Sequence, residues 1–306
     1  MADSSPTYGG QALIEGVLIR GARTASIALR RPDGTIVTKT ENIQQGIAST
    51  LRSVPLLRGV ATLCETFAVG TKALYYSARV TEGKDEEGVS AREMLAATLA
   101  IAAAASIFIA GPLLLSKGAF ALGTGAVGAS LGEGLLRLGL IGGYIGLISR
   151  MKEVQRVFAY HGAEHRAIHA HEHGEPLNVE SVKQFANAHP RCGTAFLLTV
   201  GVISFAAFAF LGHGPVEEQI AARVLLLPLI AGMAYEVLRA TQVHEDHWLA
   251  SLVRKPNLWL QRLTTRDPDD GQIEVALAAL HAAIAAESEA AAAEELALSP
   301  IGADID

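Results

Sequence analysis

The sequence predicts a mainly α-helical integral membrane protein with about four transmembrane helices. Hydrophobic residues make up 50% of the 306 residues and charged residues only 18%, a balance typical of chains with several membrane spans. A second observation is a series of long apolar runs that contain few charges. A third is that lysine and arginine are abundant in alternate connections between these runs, as the membrane topology of such a protein requires.

The first region, residues 1–94, is predicted to be cytoplasmic and of mixed structure. Residues 26–30 and 35–39 alternate between apolar and polar types. The segment Arg31-Pro32-Asp33-Gly34 between them has the residue types of a tight turn, so a β-hairpin is expected here. Residues 1–11 lack the basic and apolar stretches of a cleavable signal peptide.

A helix is predicted over residues 60–78, immediately before the membrane domain. The run is largely apolar but is interrupted by Glu65 and Lys72. This pattern favours an amphipathic helix that lies on the membrane or against other helices over one that crosses it.

The membrane domain is predicted over residues 95–240. Its four expected spans are 95–115, 131–149, 193–212 and 220–235. The second is the least regular, because Glu133 and Arg137 interrupt it. We expect the long Arg137 side chain to extend to the near interface, where its charge stays hydrated.

The distribution of lysine and arginine predicts the orientation of these spans. The connection 150–194 carries six such residues, whereas the connections on either side carry one, Lys117, and, over 213–219, none. Positively charged connections stay in the cytoplasm. The chain is therefore predicted to be a multi-pass protein of the cell membrane, with both termini and the connection 150–194 in the cytoplasm.

Residues 241–306 are predicted to form a C-terminal cytoplasmic helix and an acidic tail. The segment Asp267-Pro268-Asp269-Asp270 has the acidic residues and proline that begin helices, and an apolar run over 273–286 follows it. The alanine- and glutamate-rich residues 287–306 are expected to be a frayed helix or a disordered tail.

The candidate site begins with the pattern H-x-x-E-H at His161, Glu164 and His165. Helical spacing places the two imidazoles on one face, where they could share a metal ion. The carboxylate beside them could accept a proton from a water molecule that the metal activates. This residue order occurs in inverted zinc-protease signatures. With ten histidines in the chain, it also arises by chance in about a few per cent of similar sequences.

Further ligands are needed, and three candidates lie on the same predicted side of the membrane. Glu236 ends the fourth span, where a carboxylate is costly unless it binds a metal or pairs, for example with Arg239. His189 and Cys192 precede the third span. A helix N-terminus stabilises a thiolate, so Cys192 could ligate a metal or act as a nucleophile, although it could equally be a small buried side chain.

The remaining candidates are weaker. His169 could be a ligand, but a residue that hydrogen-bonds a ligand is equally expected at that position. Glu15 and Glu65 are isolated acids in apolar surroundings that could reach the site. Four more histidines are expected at the surface: His171, His173, His244 and His247.

Five segments together resemble the YqhQ family, bacterial multi-pass membrane proteins described as predicted metal-dependent enzymes. They are GGQALIEGVLIRG at 9–21, YHGAEHRAIH at 160–169, HPRCGTAF at 189–196, AYEVL at 234–238 and LWLQRLTTRDPDDGQIEV at 258–275. The resemblance implies no particular substrate. It implies that the following residues occupy family motif positions: Glu15, His161, Glu164, His165, His169, His189, Arg191, Cys192 and Glu236.

Three hypotheses of function follow. The first is a metal-dependent hydrolase of the bacterial inner membrane that acts on a peptide or amide. In it His161 and His165 bind Zn²⁺ or another divalent metal, Glu236 or the pair His189 and Cys192 completes the ligand set, and Glu164 is the general base. The second is a non-catalytic membrane scaffold or interaction protein with a structural metal site. The third is thiol chemistry, with Cys192 as nucleophile. Nucleic acid is not an expected partner, because the net charge is −6.

Overall fold

The computed structural model describes residues 7–43, 51, 53–83, 90–121, 125–211, 214–244 and 246–298. Within them the chain is mainly helical and carries one small sheet. The strands are β1 (Gly9–Leu13), β2 (Gly16–Arg20), β3 (Thr24–Arg30) and β4 (Ile36–Asn42). The helices are α1 (Leu57–Thr81), α2 (Ala91–Ala121), α3 (Gly125–Ile148), α4 (Lys152–Glu172), α5 (Val179–Val182), α6 (Thr194–Ala209), α7 (Val216–Val243), α8 (Trp248–Thr264) and α9 (Asp270–Leu298).

The four strands form an antiparallel meander in sequence order. The predicted hairpin is confirmed as β3 and β4, and Gly34 in its turn has a φ of 87°, a conformation that glycine adopts without strain. Strands β1 and β2 were not predicted. The reason is that β2 is buried along nearly its whole length, so its sequence lacks the polar and apolar alternation of a half-exposed strand.

The sheet lies between helices on both of its faces. On one face Val17 and Ile19 pack with Tyr160 of α4 and Leu280 of α9. On the other face strand residues, among them Leu18, pack against α1. This three-layer arrangement fixes the position of α4, which carries the H-x-x-E-H pattern.

Within the described ranges, four helices are long and apolar enough to cross a membrane: Ala91–Gly118, Gly128–Ile148, Val216–Val243 and Asp270–Glu294. The first three coincide with predicted spans. The predicted span 193–212 falls on α6, an apolar helix of 16 residues, which is about 24 Å long against a hydrocarbon core of about 30 Å. The helix Asp270–Glu294 belongs to α9, whose apolar face packs on the sheet and on α4.

Helix α9 continues well beyond the predicted end at residue 286. Glu287, expected in a frayed tail, is only 3% exposed and accepts hydrogen bonds from the backbone N–H groups of Arg23 and Thr24 and from the Thr24 hydroxyl. The tail prediction is therefore wrong at this residue, because the carboxylate satisfies donors at the start of β3. Residues 299–306 of the predicted tail lie outside the described residues.

Charged side chains of α3 and α7 meet in the interior of the membrane helices. Arg137 and Arg223 both hydrogen-bond Glu133, at 2.7 and 2.8 Å, and both guanidinium groups stack over the ring of Phe208. We call Glu133, Arg137 and Arg223 the Glu133 cluster. All three are buried, so the expectation that Arg137 extends to the interface is wrong: its counter-ion lies one helical turn away on the same helix.

Candidate metal centre

Helix α4 presents the motif on the side that faces the connection between α8 and α9. Gly162 lies so close to this connection that a Cβ atom would stand 2.2 Å from the carbonyl oxygen of Arg266. The backbone N–H of Arg266 in turn donates to the carbonyl of Phe158 at 2.9 Å. Glycine at 162 thus permits the close approach that brings backbone carbonyls to the histidine side chains.

Three potential metal ligands converge here. One ligand atom each from His161, His165 and Cys192 lies within 4.8 Å of the other two. The centroids of the two imidazole rings are 4.3 Å apart, and His161 Nε2 is 3.2 Å from Cys192 Sγ. Among the described residues, this is the group of histidine, cysteine and acidic side chains whose geometry could hold a metal ion.

The other ring nitrogen of each histidine is held by a backbone carbonyl. His161 Nδ1 lies 2.8 Å from the Thr264 oxygen, and His165 Nδ1 lies 2.5 Å from the Asn187 oxygen. A carbonyl only accepts hydrogen bonds, so each Nδ1 carries the proton and each Nε2 keeps a free lone pair. Burial lowers the pKa of His165, which keeps it in the neutral form that ligates metals. Histidine ligands in metalloproteins are commonly oriented in this way.

The sulfur of Cys192 is also surrounded by donors. Cys192 lies just before α6, and its Sγ accepts from the backbone N–H of Thr194 at 3.4 Å. The Thr194 hydroxyl is 3.2 Å away. N–H groups at the start of a helix stabilise a thiolate, the form that binds metals and attacks electrophiles.

Glu164 is a buried carboxylate beside these ligands. It is 3% exposed, and its Oε2 lies 3.5 Å from His165 Nε2. Burial raises the pKa of Glu164 to about 7, although the nearby His161 and His189 act to lower it. A Cβ atom on Gly10 of β1 would stand 2.5 Å from Glu164 Oε1, so glycine at this position leaves room for the carboxylate.

His189 lies beside the group rather than within it. Its backbone is clamped by the Gln261 side chain through two hydrogen bonds of 2.8 Å. Its Nδ1 accepts from the N–H of Arg191, and its Nε2 lies 3.2 Å from Glu172 Oε2. Both ring nitrogens of His189 are therefore engaged with protein atoms, and the clamp holds the turn that carries Cys192.

Glu172 completes this second set of contacts. Its carboxylate pairs with both His189 and Arg191. Partial burial acts to raise the pKa of Glu172, but hydrogen bonds from His189 and Arg191 outweigh burial and lower it to about 2. The carboxylate is consequently ionised near neutral pH and orients His189 as a donor at Nε2.

The structure does not bring Glu236 to the three ligand atoms. Its two oxygens accept hydrogen bonds from the guanidinium of Arg58, and one also accepts from the N–H of Leu56. This contact joins α7 to the start of α1. The partner that the sequence suggested, Arg239, is not the one that these hydrogen bonds use.

The other candidate residues also make contacts away from the ligand atoms. Glu15 pairs with Arg156, and Glu65 pairs with Arg20. His169 packs edge-on against His189 with ring centroids 4.5 Å apart, and its buried Nε2 has no hydrogen-bond partner among the described atoms. His171 is partly exposed, and the other three histidines expected at the surface are exposed there: His173, His244 and His247.

Sequence reasoning missed the residues that orient the ligands. Asn187 and Thr264 act through their carbonyl oxygens, which no side-chain pattern reveals. Gln261 had a detectable signal, because it is a polar residue on the buried face of the amphipathic helix α8. Arg166 binds both Asn187 and Asp267 and so fixes the segment whose carbonyl meets His165.

Comparisons with known proteins match most of the chain. The family described as Protein of unknown function (DUF1385) matches residues 54–286, which include every residue of the three-ligand group. The Uncharacterized protein YqhQ of Bacillus subtilis (strain 168) is 33% identical over 293 residues, which is 89% of this chain and 90% of that protein. No solved structure matches the chain significantly.

Proposed function

The chain belongs to the family Protein of unknown function (DUF1385), and we propose that it is a metal-dependent hydrolase at a membrane face. The observation that carries the proposal is the paired orientation of His161 and His165. Each Nδ1 is fixed by a carbonyl, which leaves the lone pair of each Nε2 on the side of the Cys192 sulfur. Two neutral imidazoles and a thiolate form a donor set that suits Zn²⁺.

The residues fit a catalytic zinc site better than a structural one. Structural zinc sites have four protein ligands, whereas catalytic sites have three and leave one position for water or substrate. The group in the described part of the chain has three members, His161, His165 and Cys192. A bound Zn²⁺ would supply a Lewis acid that makes water nucleophilic near neutral pH and polarises a substrate carbonyl.

Glu164 is the proposed general base. Its carboxylate lies 3.5 Å from His165 Nε2, where it could take a proton from the attacking water and give that proton to the leaving group. The clamp of Gln261 on His189 holds the turn of Cys192 in place while the proton moves.

A peptide or amide is the proposed substrate class, since the order of the motif is that of inverted zinc proteases. The apolar helices support a reaction at a membrane. The six lysine and arginine residues of 150–194 support a cytoplasmic location for the site and for both termini.

Thiol chemistry is the second candidate, and one contact favours it. The 3.2 Å distance between His161 Nε2 and Cys192 Sγ suits a nucleophile activated by a histidine base. In that case His161 takes the thiol proton, the Thr264 carbonyl orients the ring, and no metal is needed.

Turnover of a peptide library by the purified, zinc-loaded full-length protein tests the proposal. In Glu164→Gln we expect zinc to remain bound and the rate to fall by at least about 100-fold, because the general base is lost. Glu175→Gln, at an exposed position beyond the end of α4, serves as the matched control and keeps the wild-type rate.

Two results would contradict the metal mechanism. One is full activity in Glu164→Gln. The other is turnover that survives complete zinc removal in wild type and is lost in Cys192→Ser, which would favour the thiol reaction.

A further inference from the structure

A shallow pocket lies next to the candidate metal centre, between the C-terminal end of α7, helix α8 and the turn before Cys192. Its lining residues are Pro190, Arg191, Leu238, Thr241, Gln242, Arg254, Asn257, Leu258 and Gln261. Two of them, Arg191 and Arg254, are cationic, and none is acidic. Gln261, which clamps His189, forms part of its wall.

The two arginines differ in how far their charge is compensated. Arg191 is paired with Glu172. Arg254 is partly exposed and makes no ion pair with any residue that the structure describes. The pocket therefore carries uncompensated positive charge, and its rigid guanidinium groups match the geometry of phosphate oxygens.

Asn257 provides an independent sign of a missing partner. It is 5% exposed, and its Oδ1 is buried without a hydrogen-bond partner in the described part of the chain. The amide can turn about its last bond and present its NH₂ group instead. A buried amide of this kind is costly unless a ligand or water pairs with it.

The other face of α8 carries large apolar side chains that are exposed. Trp248, Leu252 and Trp259 are 68%, 63% and 61% exposed, and helical spacing places them on one side. Asn257 and Gln261 lie on the opposite, buried side. A helix with exposed tryptophans that follows an apolar helix by a short connection suits the membrane interface, at the depth of phosphate headgroups.

We propose that this pocket binds a phosphate group, with Arg254 and Arg191 as its cationic ligands and Asn257 as a hydrogen-bond donor. The phosphate belongs to a membrane phospholipid or is free in solution. Binding at this site does not depend on metal occupancy or on hydrolysis, so its test is separate from that of the proposed function.

The test measures phosphate and lipid binding to the full-length protein after delipidation in detergent. In one arm the protein is incubated with equal amounts of phosphatidylglycerol and phosphatidylcholine, and the retained lipid is quantified by mass spectrometry. In the other arm inorganic phosphate alone is titrated. We expect Arg254→Gln to weaken binding about tenfold, the loss of one charged hydrogen-bonding partner.

Arg262→Gln is the matched control, since it removes the same charge from an exposed position of α8 and should bind as wild type does. Arg254→Lys keeps the charge and should restore part of the binding. Retention of phosphatidylglycerol that depends on Arg254 supports a lipid headgroup, and Arg254-dependent binding of inorganic phosphate alone supports a free anion. Equal binding by wild type and Arg254→Gln in both arms would overturn the proposal, as would equal losses in Arg254→Gln and Arg262→Gln.

Discussion

The Glu133 cluster and the candidate metal centre both contain buried ionisable groups, but these groups have different kinds of partner in the two places. In the cluster, one carboxylate accepts hydrogen bonds from two arginines, and both guanidinium groups stack on one aromatic ring. Arg137 Nη1 is the one side-chain atom of the cluster that lacks a described hydrogen-bond partner. Two arginines share one carboxylate, so the cluster keeps one excess positive charge, and backbone carbonyls of Phe108 and Gln219 accept further N–H groups of the two arginines.

At the candidate metal centre, histidine nitrogens and a cysteine sulfur converge on one another. Ligand atoms of His161, His165 and Cys192 lie within 4.8 Å of one another, and the Glu164 carboxylate lies 3.5 Å from the His165 ring. Buried charged side chains that hydrogen-bond one another, as in the Glu133 cluster, indicate a role in holding helices together. Histidine and cysteine atoms that converge in this way form a candidate site for a metal ion.

The largest expected loss of stability comes from removing the carboxylate of the Glu133 cluster. Glu133→Gln leaves two buried arginines without a counter-ion, and the loss of one partner from a buried ion pair costs about 3–5 kcal/mol. Thermal unfolding in detergent should show the loss. Glu217→Gln, at an exposed position of α7, should leave the unfolding temperature unchanged. If Glu133→Gln unfolded at the wild-type temperature, the cluster would not stabilise the fold through its ion pairs.

A smaller loss of stability is expected for Glu172→Gln. The pH dependence of unfolding tests whether Glu172 acts through its charge. Its pKa of about 2 lies below the ordinary value of 4.5, so the paired carboxylate stabilises the fold above pH 4.5. That contribution, about 1–3 kcal/mol, is lost as the pH falls from 4.5 towards 2. Denaturant unfolding of wild type and Glu172→Gln should therefore differ at pH 7 and converge at low pH. A difference that stays constant across this range would show that Glu172 does not act through its charge.

The sequence allowed the proximity of His161, Glu164 and His165 to be anticipated because that information is local. His161, Glu164 and His165 share one helical face, and Cys192 stands just before a helix. Glu236 shows where such reasoning stops, because its partner Arg58 is 178 residues away in the chain, and no spacing rule connects them. The choice between Glu236, His189 and Cys192 as the additional ligand needed the tertiary structure.

The fold was predictable to a similar extent. Helices α2, α3 and α7 follow from their apolar runs, and the β3 and β4 hairpin follows from alternation and its turn. The sequence of α9 predicts a short helix with an acidic tail. Its burial against the sheet depends on small alanines, which give no strong pattern of apolar and polar residues. Glu287 could not be anticipated, because its partners are backbone groups at the start of β3.

The metal content of the purified protein tests the ligand assignment most directly. After equilibration with Zn²⁺ and removal of excess metal, wild type and Glu236→Gln should each hold about one ion per chain, and His165→Ala less than about a tenth of that. Thermal unfolding of the metal-free proteins would verify that His165→Ala is folded. Wild type that retains no metal, or His165→Ala that retains as much as wild type, would contradict a metal centre formed by His161, His165 and Cys192.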